Sequence, residues 1–124
     1  MRAVRKILVL SLIVLAGDSA WGHHSFAVFD LDKETALVGV VNEFQWTNPH
    51  VWIQILVPDA EGATNEWSLE AGTPGMVTRT GWKSSMLRPN DKVTAVIHPE
   101  KNGALSGSLV RLINSAVPSP ATRP

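Results

Sequence analysis

The sequence predicts a mainly β domain that folds as a small Greek-key barrel with one short helix. Apolar and polar residues alternate through most of residues 34–113, as expected for strands with one buried face. The alternation stops after Gly72, where Thr73 can cap a helix and Pro74 fits its first position. The chain has no cysteine, so a packed core rather than disulfides must stabilise the domain.

Five strands are expected, separated by turn-forming sequences at 47–49, 59–65, 88–91 and 100–104. The expected strands are Glu34–Trp46, His50–Pro58, Glu66–Gly72, Lys92–Pro99 and Leu105–Ile113. Gly39 is expected to mark a bend or a bulge in the first of them. A long bent first strand and a helix between strands three and four indicate a barrel of the oligomer-binding (OB) type. An antiparallel β-sandwich is the alternative.

The two ends of the chain are expected to lie outside this domain. Basic residues precede the apolar run "ILVLSLIVLAG" at 7–17, and "AWG" at 20–22 offers a signal-peptidase site. Residues 1–22 therefore read as a cleaved signal peptide, which implies a periplasmic or secreted protein with no membrane span after cleavage. The domain then covers residues 23–114, and the tail at 115–124, rich in Pro, Ser and Ala, is expected to be disordered.

The charge of the mature chain argues against a nucleic-acid partner. With residues 1–22 removed and the histidines neutral, the net charge is about −2. Affinity for phosphates depends on clustered Lys and Arg, and the sequence has no basic stripe. A metal ion, a small ligand or a periplasmic protein is the expected partner.

Several segments together resemble one family of small secreted bacterial proteins. They are "HHSFAVFD" at 23–30, "VVNEFQWTNPHVWIQI" at 40–55, "EWSLE" at 66–70, "GW" at 81–82 and "DKVTAVIHP" at 91–99. The family is the domain of unknown function DUF6152, and the resemblance covers nearly the whole mature chain. It implies no particular activity.

The candidate metal ligands are the four histidines, His23, His24, His50 and His98. Cleavage before His23 would give it a free amine, which can chelate a metal together with its own imidazole. This arrangement resembles a histidine brace, with His50 or His98 as the third nitrogen ligand. The amine with the amide and ring of His24 is a second possible chelate. Planar nitrogen ligands select Cu(II). The alternative is that these histidines form ordinary hydrogen bonds at turns and a solvated terminus.

Tryptophan is abundant for so small a domain. Trp52 and Trp67 follow strand patterns and are expected in the core. Trp46 and Trp82, with Asn48 in the first turn, are candidates for a ligand-binding surface.

Three functions fit these observations. The first is an exported copper-binding protein, and the second is an OB-like module that binds a small ligand or a protein without metal. The third is a hydrolase or isomerase, whose mark would be a buried carboxylate–histidine pair in a pocket. No nucleophile motif, catalytic carboxylate spacing or phosphate-binding loop occurs, so the sequence does not indicate an enzyme.

Overall fold

The computed structural model describes residues 26–114. The expected signal peptide, His23, His24 and the tail after residue 114 lie outside the described residues. The elements are β1 (Thr35–Gln45), β2 (Trp52–Pro58), β3 (Thr64–Glu70), α1 (Pro74–Arg79), β4 (Lys92–Pro99) and β5 (Ser106–Asn114). None of the helical structure within residues 26–114 has the length and hydropathy needed to traverse a bilayer.

The strands form a closed barrel in the order β1-β2-β3-β5-β4. All neighbouring strands are antiparallel except β3 and β5, which run parallel. Closure removes the unpaired edges that an open sheet would expose. The predicted OB-like barrel, with a short helix between β3 and β4, is therefore confirmed, and the β-sandwich alternative is wrong.

Strand β1 pairs with two partners, and this requires it to bend. Its first half pairs with β4 and its second half with β2, and Val40 is in register with both Leu56 and Lys92. A Cβ atom at Gly39 would collide with the backbone carbonyl of Leu56. A bulge follows between Val41 and Glu43. Gly39 thus allows the close approach of β2, and the bulge itself lies two residues further along.

The helix α1 begins as its sequence predicts. The Thr73 side chain accepts a hydrogen bond from the Met76 amide at 3.2 Å, and Pro74 is the first helical residue. Gly81, at φ 93°, reverses the chain beyond the helix. Val77 and Trp82 then pack into the core.

The core consists of the inward-facing strand residues, closed by the helix and the loop after it. Its fully buried members include Val41, Val51, Ile53, Ile55, Leu69 and Ile97. The first described residues cover the β4–β5 turn, because Phe29 is buried and forms a bridge with Glu100.

Candidate functional site

The turn between β1 and β2 holds the sequence "TNPH" at one end of the barrel. The Thr47 hydroxyl donates a hydrogen bond to the His50 carbonyl at 2.8 Å, and the Asn48–Pro49 peptide bond is cis. The next residue, Val51, bonds through its amide to the Gly72 carbonyl at 3.0 Å. The turn is therefore tied to the end of β3, and it leaves Asn48 exposed.

His50 forms an ion pair with a carboxylate of β3. Its Nδ1 lies 2.8 Å from Oε1 of Glu70, with side-chain exposures of 27% and 13%. Burial raises the pKa of Glu70 above its ordinary value, and the nearby His50 opposes that rise. Because Nδ1 donates to the carboxylate, Nε2 is the nitrogen left for another partner.

This arrangement gives His50 a fixed orientation. A carboxylate that holds Nδ1 is the usual support of a metal-binding histidine, and it also suits a base that accepts a proton at Nε2. An open depression in the surface is lined instead by Gly81, Lys83 and neighbouring residues of the α1–β4 connection. The His50–Glu70 pair is partly exposed and does not line that depression, so it differs from the buried pair in a pocket that would indicate a hydrolase.

The sequence did not identify Glu70 as the partner of His50. The period of two places Glu66 and Glu70 on one face of β3 but does not indicate what Glu70 contacts. Their alternation with Trp67 and Leu69 does indicate an outward Glu70. Its pairing with His50 depends on the register of β2 and β3, in which Trp52 lies opposite Glu70.

The predicted ligand-binding tryptophans lie mainly in the core. Trp82 is only 6% exposed, and its ring lies 6.3 Å from that of Phe44. Trp46 is half-buried and makes an edge-to-face contact with Phe44 at 5.9 Å. Trp82 therefore cannot offer its ring face to a ligand in this conformation, and the predicted surface reduces to Trp46 and Asn48.

The other two described tryptophans differ from each other. Trp67 packs against the core as expected. Trp52 does not, because Ile53 takes the inward position and Trp52 points outward between Gln45 and Glu70. The expectation of a core Trp52 is therefore wrong. Gln54, which shares its face, is the residue that could have indicated this.

His98 lies near the end of β4 and is also held by its Nδ1. That atom is 2.8 Å from the Lys33 carbonyl oxygen. A carbonyl oxygen only accepts, so Nδ1 carries the proton and a neutral ring presents Nε2 as an acceptor. The ring is half-buried on the outer surface of the barrel.

His50 and His98 occupy separate positions on this outer surface. Glu70 on β3 is in register with Ser108 on β5, which is in register with His98 on β4. Two inter-strand spacings, about 10 Å, therefore separate the backbones of Glu70 and His98. Within the described part of the chain, no three His, Asp or Glu side chains converge to hold a metal ion.

The start of the described chain lies beside the end of β4. The Asp30 amide bonds to the Pro99 carbonyl at 2.8 Å, and the Lys101 amide bonds to the Val28 carbonyl at 2.9 Å. The Lys101 ammonium also donates to the Ala27 carbonyl at 3.1 Å. These bonds attach the segment at 27–30 to the part of the barrel that carries His98.

Comparison with solved structures gives a match of low similarity. A solved structure of the mitochondrial single-stranded DNA-binding protein from S. cerevisiae matches with a TM-score of 0.49 and 14% identity. The match covers 67% of this chain and 94% of that protein. No curated protein matches.

The family model gives the clearest assignment. Its description is "Family of unknown function (DUF6152)", and it matches residues 11–109, which include all the segments that carried the resemblance. The match extends over well more than half of the sequence. The chain therefore belongs to the DUF6152 family.

Proposed function

We propose that this protein is an exported binding protein that binds Cu(II) through a mature N-terminal His23 and the imidazole of His98. The observation that carries the proposal is the bridge between Phe29 and Glu100. This bridge holds Phe29, near the start of the described chain, against Glu100, which follows His98 by two residues. His23 precedes Phe26 by three positions in the sequence, and three positions of chain span at most about 10 Å.

The environment of His98 supports its choice as the third nitrogen ligand. The Lys33 carbonyl holds Nδ1, so Nε2 is available to a metal. His50 is the less favourable choice, because it pairs with Glu70 on β3, and strand β5 lies between β3 and the β4 strand that carries His98. His24 would add an amide and a ring nitrogen in the alternative chelate.

The test is a Cu(II) titration followed by electron paramagnetic resonance of the natively processed protein, after mass spectrometry has identified its N-terminus. We expect one-to-one binding that weakens when one glycine precedes His23. His98→Ala should remove a nitrogen from the spectrum, and the matched variant His50→Ala should not. An N-terminus other than His23, or a spectrum unchanged by the added glycine or by His98→Ala, would overturn the proposal.

A second candidate function is favoured by the His50–Glu70 pair beside Asn48 and the half-buried Trp46. In it, the β1–β2 turn binds a small polar ligand or a protein without metal. A fragment screen by nuclear magnetic resonance (NMR) in the presence of EDTA tests this. Ligands that shift the Asn48 and Trp46 signals should lose affinity in His50→Ala but not in His98→Ala. A screen whose hits all bind elsewhere on the barrel would exclude this function.

A further inference from the structure

The outer face of the sheet formed by the second half of β1, β2 and β3 is acidic and partly apolar. We name it the β2–β3 face. The register aligns Glu43, Gln54 and Ser68 in one row, and Gln45, Trp52 and Glu70 in the next. Leu56 and Glu66 form a third row beside Val40. Among the helix and strands of the described residues, only β1 and β3 make extensive contacts with β2.

Every formally charged residue of this face is negative. Glu43 and Glu66 are exposed, and the Asn42 amide donates to the Glu66 carboxylate. No Lys or Arg occurs between Lys33 and Arg79 in the sequence. The nearest strand cation by register is Lys92, on β4 across β1. Glu70 pairs with His50, whereas Glu43 and Glu66 have no ion-pair partner among the described residues, so these two carboxylates give the face a negative potential that opposes a phosphate backbone.

Trp52 supplies an aromatic surface on this negatively charged face. Its half-buried ring lies outside the core cluster, with Glu70 opposite it on the neighbouring strand. Leu56, also half-buried, lies four residues after Trp52 on the same face of β2, beyond Gln54. The face of an indole attracts cations, and carboxylates nearby strengthen that preference. The combination suits two Lys or Arg side chains, one with its aliphatic part on Trp52 and the other with its aliphatic part on Leu56.

We propose that the β2–β3 face binds a Lys- or Arg-bearing segment of a partner protein through Trp52, Glu43 and Glu66. The rows of alternating side chains extend along three strands, which matches an extended chain with several cationic side chains better than a single small amine. Because the barrel is closed, these side chains and not free strand edges make the contact. The proposal is independent of copper, since it uses neither His23 nor His98.

The test uses the full mature protein and a synthetic ten-residue peptide of alternating Lys and Ala. At low ionic strength, we expect the peptide to shift the indole signal of Trp52 and the amide signals of Gln54 and Ser68 in a ¹⁵N NMR spectrum. Affinity should fall as salt is added, because exposed charges are screened. A peptide of alternating Glu and Ala should produce no shifts.

Variants distinguish binding at the β2–β3 face from a general effect of the protein's net charge. The double variant Glu43→Gln/Glu66→Gln should weaken peptide binding about fivefold at low salt. The control Glu34→Gln/Glu61→Gln removes the same charge outside the face and should retain wild-type affinity. Trp52→Leu should weaken binding about threefold by removing the aromatic ring. The proposal fails if the peptide does not bind, if it shifts signals elsewhere, or if the control weakens binding as much as the Glu43/Glu66 pair.

Discussion

The imidazole of His50 and the carboxylate of Glu70 meet across the opening of the β1–β2 turn. The turn directs His50 back over the end of β3, where the Glu70 side chain is largely buried. A buried carboxylate is unfavourable when charged, so the imidazole compensates for part of the lost hydration. The charge state of Glu70 therefore depends on the His50 imidazole as well as on its own burial.

We expect Glu70 to titrate above its ordinary pKa of 4.5, because desolvation dominates. His50→Asn should raise the pKa of Glu70 further, since the opposing charge is removed. Carbon-detected NMR of the glutamate carboxyl groups measures both values. His98→Asn, at a site without contact to Glu70, is the control. A Glu70 pKa at or below 4.5 in the wild-type protein would contradict the expectation.

The same shift predicts a pH dependence of stability. Since the pKa of Glu70 is raised on folding, the folded state binds its proton more tightly than the unfolded state does. The free energy of unfolding should therefore fall as pH rises from 4.5 through the folded pKa. Glu70→Gln should lack this part of the profile, whereas Glu61→Gln, in an exposed loop, should retain it. Urea unfolding between pH 4 and 7 measures the difference.

At the scale of elements, two glycines differ in whether packing requires them. Gly39 allows β1 to pass close to the backbone of β2 at the point where β1 changes partners. Gly75 lies in α1, where a Cβ atom would meet no atom within 4 Å. The first glycine is required by packing between elements, and the second only lowers helix propensity.

We expect Gly39→Ala to destabilise the protein by about 1–3 kcal/mol, since the backbone of β2 must move. Gly75→Ala should stabilise it by about 0.5–1 kcal/mol. Thermal or urea unfolding of the two variants gives the comparison. Equal effects of the two changes would show that the contact between Gly39 and Leu56 has no special role.

At the scale of the whole molecule, closure of the barrel concentrates the apolar side chains in one core. Ile55 is fully buried there, whereas Val38 on β1 faces outward and is 66% exposed. The chain has no disulfide to limit the unfolded state. Its stability must therefore come mainly from this core.

Ile55→Ala should lower the free energy of unfolding by about 2–5 kcal/mol, because it leaves a cavity in the core. Val38→Ala removes an exposed apolar side chain and should change it by less than about 0.5 kcal/mol. Chemical denaturation of both variants measures the contrast. Similar losses for the two variants would mean that β1 is not oriented as described.

Local patterns in the sequence were sufficient to predict the elements. The expected β4 coincides with the observed Lys92–Pro99, and the Thr73–Pro74 start of the helix is confirmed. The other strands differ from expectation by one or two residues at their ends. In β3 the strand starts earlier, at Thr64, because Asp59 accepts amide hydrogen bonds from Glu61 and Ala63 and tightens the preceding loop.

The sequence by itself thus determined the strands, the helix and the barrel class, because alternation, capping and turn residues act over short distances. The polar Gln54 on the same face could also have indicated the outward side of Trp52, whereas only the tertiary structure decided the burial of Trp82 and the separation of His50 from His98. It also decided the His50–Glu70 pair and the parallel closure of β3 on β5. The burial of Trp82 depends on how the loop after α1 packs on the barrel, and the pairings between strands depend on register, since a shift of one residue moves a side chain to the opposite face of the sheet.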